Sequence, residues 1–113
     1  GGSFPLWLAP VQIQVLTLTE KQGEAATALA LELRKAGLRV GLDLRNEKIG
    51  YKIREATLAK IPYQVILGPR DVSGGTLSLR LLNGQQKNGV LLQDFIAKLK
   101  DDIQTKTIES TYV

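Results

Sequence analysis

Ten basic side chains lie between positions 34 and 80 (Arg34, Lys35, Arg39, Arg45, Lys48, Lys52, Arg54, Lys60, Arg70 and Arg80), against four acidic ones (Asp43, Glu47, Glu55 and Asp71). The rest of the 113-residue chain holds five basic and seven acidic residues, so the formal charge of +4 originates in its middle. Attraction of phosphate requires clustered positive charge, and an anion-binding face is one reading of this stretch. Solvated helix faces that keep a domain soluble are the other. The chemistry open to the chain is narrow, because Cys, His and Met are all absent. Their absence excludes Ser-His-Asp and Cys-His nucleophiles, structural zinc, iron–sulfur clusters, haem ligation and disulfides. Carboxylates, Lys, Tyr and Ser/Thr remain. The Gly74-Gly75 pair belongs to no Gly-x-x-x-x-Gly-Lys pattern, so it is not a phosphate-cradling loop.

The elements that must position these groups follow from periodicity. From Val11 to Leu18 apolar and polar residues alternate and β-branched types recur, which predicts a first strand. Thr19 stands before Glu20 as an N-cap, and Ala25, Leu29, Leu33 and Ala36 recur at helical spacing up to Gly37, a left-handed C-cap. Leu38, Val40 and Leu42 alternate as a second strand ending at Asp43. Asn46 reads as the N-cap of a second helix whose Ile49, Ile53 and Ala56 share one face, while Glu47, Lys48, Lys52 and Glu55 point elsewhere. Pro62 stops that helix. Tyr63 to Leu67 form a third strand closed by Gly68-Pro69, and Thr76 to Leu82 a fourth that runs into a turn at Asn83-Gly84. Leu92, Phe95, Ile96, Leu99 and Ile103 mark a C-terminal helix.

The order β-α-β-α-β-β-α predicts a single α/β domain, a mixed, mostly parallel sheet of four to five strands flanked by three helices. In such sheets the loops at the carboxyl ends of the strands form the usual ligand edge. The loop from Asp43 to Asn46 and the one from Gly68 to Asp71 therefore open on the same edge, beside the N-terminus of the second helix, which attracts anions.

The chain has the length and composition of one soluble domain, 43% hydrophobic and 23% charged. No apolar run approaches the roughly 18 residues of a membrane span, and the start Gly1-Gly2-Ser3-Phe4 lacks the features of a signal peptide. A cytoplasmic location is expected. The missing Met predicts a piece of a longer chain, with residues 1–10 an entry linker, 11–104 the domain and 105–113 a fraying tail.

Three strings carry a resemblance: Phe4-Pro5-Leu6-Trp7-Leu8-Ala9-Pro10-Val11-Gln12, then Asp43-Leu44-Arg45-Asn46-Glu47-Lys48-Ile49-Gly50-Tyr51-Lys52-Ile53-Arg54-Glu55, then Ile61-Pro62-Tyr63. The chain resembles the C-terminal anticodon-binding domain of bacterial-type threonyl-tRNA synthetases over roughly Phe4 to Ile103. An Asp-x-Arg motif before a helix is shared by the histidyl, prolyl and glycyl relatives. The longer string with the Trp-Leu-Ala-Pro-Val-Gln entry points to the threonyl branch. The resemblance implies a domain that grips the anticodon stem-loop of threonine-specific tRNA, with Asn46, Asp71 and Arg80 at the anticodon bases and Lys60 on the same surface. Family members carry Glu at the position of Asp71 and Arg at that of Lys60. It also implies that ATP, magnesium and zinc belong to a preceding catalytic domain, that this chain binds no cofactor and is not catalytic alone, and that the parent enzyme is a homodimer.

The residue types suit that role. Unpaired loop bases are read on their edges; Arg can pair with guanine O6 and N7, a carboxylate accepts from base N–H groups, and Asn does both. Structural alternatives stand beside each: Asn46 as a helix cap, Asp43 and Arg45 bridging across a turn, Arg80 as a solvated strand residue. Arg45, Lys48, Lys52, Arg54 and Arg70 read as phosphate-attracting or supporting charges rather than sequence readers. Trp7 reads as a packing residue, and Tyr51 and Tyr63 as candidate stacking residues. The competing function is an accessory or protein-interaction module that keeps the fold without reading an anticodon.

Overall fold

In the computed structural model, which describes residues 9–104, the strands β1 (Ile13–Thr17), β2 (Val40–Asp43), β3 (Tyr63–Leu67), β4 (Thr76–Leu81) and β5 (Gln86–Leu91) form one sheet in the order β2-β1-β3-β4-β5. The expected entry linker up to Leu8, with Trp7, and the expected tail from position 105 lie outside the described residues. β1 pairs parallel with both β2 and β3, whereas β3–β4 and β4–β5 are antiparallel. The mixed sheet is thus evenly divided between the two kinds of pairing. Parallel pairing occurs where a helix crosses over, and antiparallel pairing where a short connection returns the chain.

Alternation along the strands makes the two faces different. Ile13, Val15, Tyr63, Val65, Leu67, Leu77, Leu79 and Leu81 point to one face and form the core with Ala26, Leu29, Leu33, Phe95 and Leu99. The last five come from α1 (Gly23–Lys35) and α4 (Leu92–Gln104), which cover that face. Tyr63 meets Phe95 edge-on with ring centroids 5.6 Å apart, a favoured aromatic geometry. The opposite face carries Gln64, which α2 (Ile49–Leu58) covers. The Gln64 amide donates to Thr57 Oγ1 at 3.0 Å and to the Ile53 carbonyl at 3.4 Å.

Local chemistry adjusts the expected boundaries. Thr19 does cap, but it caps a short 3-10 turn, Glu20–Gln22, ahead of α1, and the Gln22 side chain returns the bond to the Thr19 N–H at 2.8 Å. Gly37 follows α1 at φ +90°, a conformation that favours glycine, as expected. Two elements are additional. α3 (Pro69–Gly74) occupies what reads as a loop; Pro69 suits its first turn, and Gly75 ends it in the left-handed region. β5 is an exposed edge strand of polar sequence whose pairing with β4 shifts register between Leu77 and Leu79. Backbone pairing rather than burial holds it, so its apolar pattern is weak.

α2 departs in two ways. It begins at Ile49, with Lys48 at its N-cap and no side-chain capping bond, so Asn46 is not the cap. Lys52, expected to face solvent or phosphate, is 1% exposed, packed on the same side as Ala56.

Candidate nucleic-acid interface

The loop between β2 and α2 is built around Asp43, 6% exposed at the end of β2. Its carboxylate accepts from Arg45 three times: from the backbone N–H at 3.2 Å, from Nε at 2.9 Å and from Nη2 at 2.8 Å. The turn-bridging role foreseen for this pair is what the structure shows. Arg45 also pairs with Glu55 on α2, and its guanidinium lies 5.6 Å from the centroid of the Tyr51 ring. The Arg45 hydrogen bonds hold both carboxyls below their usual range, against the opposing effect of burial; at Glu55 a bond from Tyr51 adds to the lowering. The same bonds push the Arg45 pKa upward. Arg45, read from sequence as a supporting charge for tRNA, is therefore committed within the protein.

Lys52 completes the frame from below. Its ammonium donates to the Thr17 carbonyl and hydroxyl, each at 3.1 Å, and to the Asp43 carbonyl at 3.4 Å. One side chain thus ties the carboxyl ends of β1 and β2 to α2. Being buried, it is a bracket for the loop and does not meet phosphate, which corrects the sequence reading of this residue. No apolar face of α2 signals this, because a lysine at that position reads as polar surface.

On this frame Asn46 is exposed, with no side-chain hydrogen bond among the described residues. Asp71 lies beyond the end of β3, on the same sheet edge, as the parallel pairing of β1 with β2 and β3 requires. Its Oδ2 accepts from the Gly68 N–H at 3.1 Å, and its Oδ1 accepts from Ser78 Oγ at 3.1 Å. Ser78 and Arg80 share one face of β4, and Arg80 sits opposite Gln64 on β3, which places both on the face that α2 partly covers. Arg80 is partly buried and makes no side-chain hydrogen bond or ion pair among the described residues.

Lys60 follows the last turn of α2, exposed, at φ +59°. Its N–H donates to the Thr57 carbonyl and that of Ile61 to the Ala56 carbonyl, so it occupies the left-handed helix-terminating position usually given to glycine. Asn46 and Lys60 lie beyond the two ends of α2, a ten-residue helix about 15 Å long at 1.5 Å per residue. Asp71 and Arg80 lie along the adjoining β4 side of the same face. Lys48, Arg54 and Arg70 are exposed around it. Sequence reasoning passed over Ser78, whose bond to Asp71 is a tertiary contact across seven residues.

A mixed sheet with helices on both faces, an exposed Asn and a half-open Arg beside one helix, and exposed cations around them define an α/β module with a basic face. The chain belongs to the family described as "Anticodon binding domain", whose model matches residues 12–102. Within that family it is 50% identical over 103 residues to a threonine--tRNA ligase of Laribacter hongkongensis, covering 91% of this chain and 16% of that protein. A threonine--tRNA ligase of Clostridium tetani is 44% identical over 111 residues, 98% of this chain and 17% of the relative. The chain thus spans about one sixth of the length of these relatives. Among solved structures, the RNA binding domain of threonyl-tRNA synthetase from Cryptosporidium parvum superposes with a TM-score of 0.84 at 29% identity, over 100% of this chain and 28% of that one. A prolyl-tRNA synthetase of the same organism superposes at 0.79 with 21% identity, over 91% of this chain and 22% of that one, a likeness of fold.

Proposed function

We propose that this chain recognises the anticodon loop of threonine-specific tRNA on the face bounded by α2 and β4, and does so within a longer synthetase. The observation that carries the reading is that Asn46, Lys60, Asp71 and Arg80, far apart in sequence, border one face of the sheet. Asn46 and Arg80 have uncommitted polar groups suited to base edges. Asp71 has both oxygens engaged by the protein, yet a carboxylate has about four acceptor sites, so it can still accept from a base while held rigid. Lys60 supplies charge without the planar fork of Arg, which suits a phosphate. Lys48, Arg54 and Arg70 add sequence-independent attraction. On this reading the parent enzyme is a cytoplasmic homodimer, and its catalytic domain provides the ATP, magnesium and zinc chemistry of threonine attachment.

The test is titration of the chain with threonine-specific tRNA and with the same tRNA altered at the middle anticodon base. Tighter binding of the unaltered tRNA, with the preference lost in Arg80→Ala or Asn46→Ala, is the expected result. Equal binding of both tRNAs by the unaltered chain would remove the base-reading role.

A further inference from the structure

Two tyrosines were open to a stacking role, and the fold separates them. Tyr63 is 0% exposed in the core against Phe95. Tyr51 is 45% exposed in the first turn of α2. Its ring is nevertheless held on one side, by the Arg45 guanidinium 5.6 Å from its centroid. Arg45 in turn is fixed by Asp43 and Glu55. A large ring anchored in this way has already lost much of the rotational freedom that a stacking contact would otherwise remove.

The surroundings select the partner. Lys48 stands one turn before Tyr51 and Arg54 one turn after, both exposed, so an aromatic surface is interleaved with cations. That combination fits single-stranded nucleic acid, whose backbone follows the charges while its bases stack on rings. We propose that Tyr51 is a stacking shelf for an unpaired base of the anticodon loop, adjacent to the base that meets Asn46. This rests on the anticodon-reading function proposed above. The shelf adds affinity with little sequence preference, because every base has a π face, and it complements the edge-reading side chains.

The test uses the full 113-residue chain and an anticodon stem-loop carrying 2-aminopurine at each anticodon position in turn. Binding quenches the fluorescence of the base on the shelf. Tyr51→Leu abolishes the quench and weakens binding on the order of ten-fold, the loss of one base–aromatic stack. Tyr51→Phe keeps both, since the ring remains. Thermal unfolding of each variant shows whether the fold is retained, and if the Leu variant is unstable Tyr51→Gln, which keeps a side chain at this exposed position but no ring, takes its place with the same expected loss. If the unaltered chain binds and discriminates anticodons, but no position is quenched and Tyr51→Leu binds equally, the shelf is refuted and anticodon reading stands. If the unaltered chain binds no stem-loop, the parent reading falls and the shelf with it.

Discussion

Replacing Lys52 with Met should destabilise the domain by about 2–4 kcal/mol, a large effect for a position that looks like solvated helix surface. The substitution keeps an unbranched apolar stem of similar reach and removes the ammonium. Thr17 then loses a donor to its carbonyl and hydroxyl, and Asp43 one to its carbonyl. A buried polar group left without a partner costs about 1–3 kcal/mol. Three such losses would sum to about 3–9 kcal/mol. Against them stands relief from holding a charge at 1% exposure, which itself costs several kcal/mol in a protein interior. Net effects after such cancellation fall near the middle of the range for a broken buried polar network. Urea unfolding followed by circular dichroism measures the difference, with Lys48→Met as the exposed control, expected within about 0.5 kcal/mol of the parent. If Lys52→Met also fell within about 0.5 kcal/mol with an unchanged m-value, the bracket would not hold the loop, and its three hydrogen bonds would be incidental.

Three further outcomes are expected. Lys60→Gly should raise stability by about 0.5–1 kcal/mol, because φ +59° strains a residue with a Cβ, and should weaken tRNA binding by removing a charge; denaturant melts and filter binding on one sample read both. The folded pKa values of Asp43 and Glu55 lie below their ordinary values of 3.8 and 4.5. Their contribution to stability is therefore complete above those values and lost as pH falls through the lower folded ones, where the unfolded chain binds more protons. Arg45→Met should lower the neutral plateau and flatten that acid limb in a stability-against-pH series, and an unchanged limb would argue against the ion-pair cluster. Finally, log binding constant against log salt should have a negative slope that becomes shallower by about 0.7 when Arg54 is changed to Ala; an unaltered slope would remove Arg54 from the phosphate contacts.

Local pattern carried much of the architecture. β3 runs from Tyr63 to Leu67 as its β-branched and apolar residues indicate, and Gly37 and Thr19 end and begin helical segments as their types require. The two added elements escaped for a shared reason: α3 is six residues bounded by glycine, and β5 is a polar edge strand, so neither has an apolar face long enough to show a period. Asn46 misled as a cap because Asp43 and Arg45 hold the preceding turn and delay the helix to Ile49. Side-chain type is informative about capping only when the chain reaches that residue in capping geometry.

The sequence by itself determined the absence of thiol and imidazole chemistry, the basic middle, the strands and helices that carry an apolar period, and through its motif strings the family. Those properties are written in residue type and short-range spacing. Tertiary structure decided which of the basic residues are available. Lys52 and Arg45 occupy the same charged stretch as Lys48 and Arg54, yet one is buried under the ends of two strands and one is locked between two carboxylates. It likewise buried Tyr63 and left Tyr51 at the surface. The physical reason is that a lysine's stem and its charge can be placed apart, and a tyrosine's ring serves core or surface equally. Only the packing of α2 on β1, β2 and β3 assigns each of them its side.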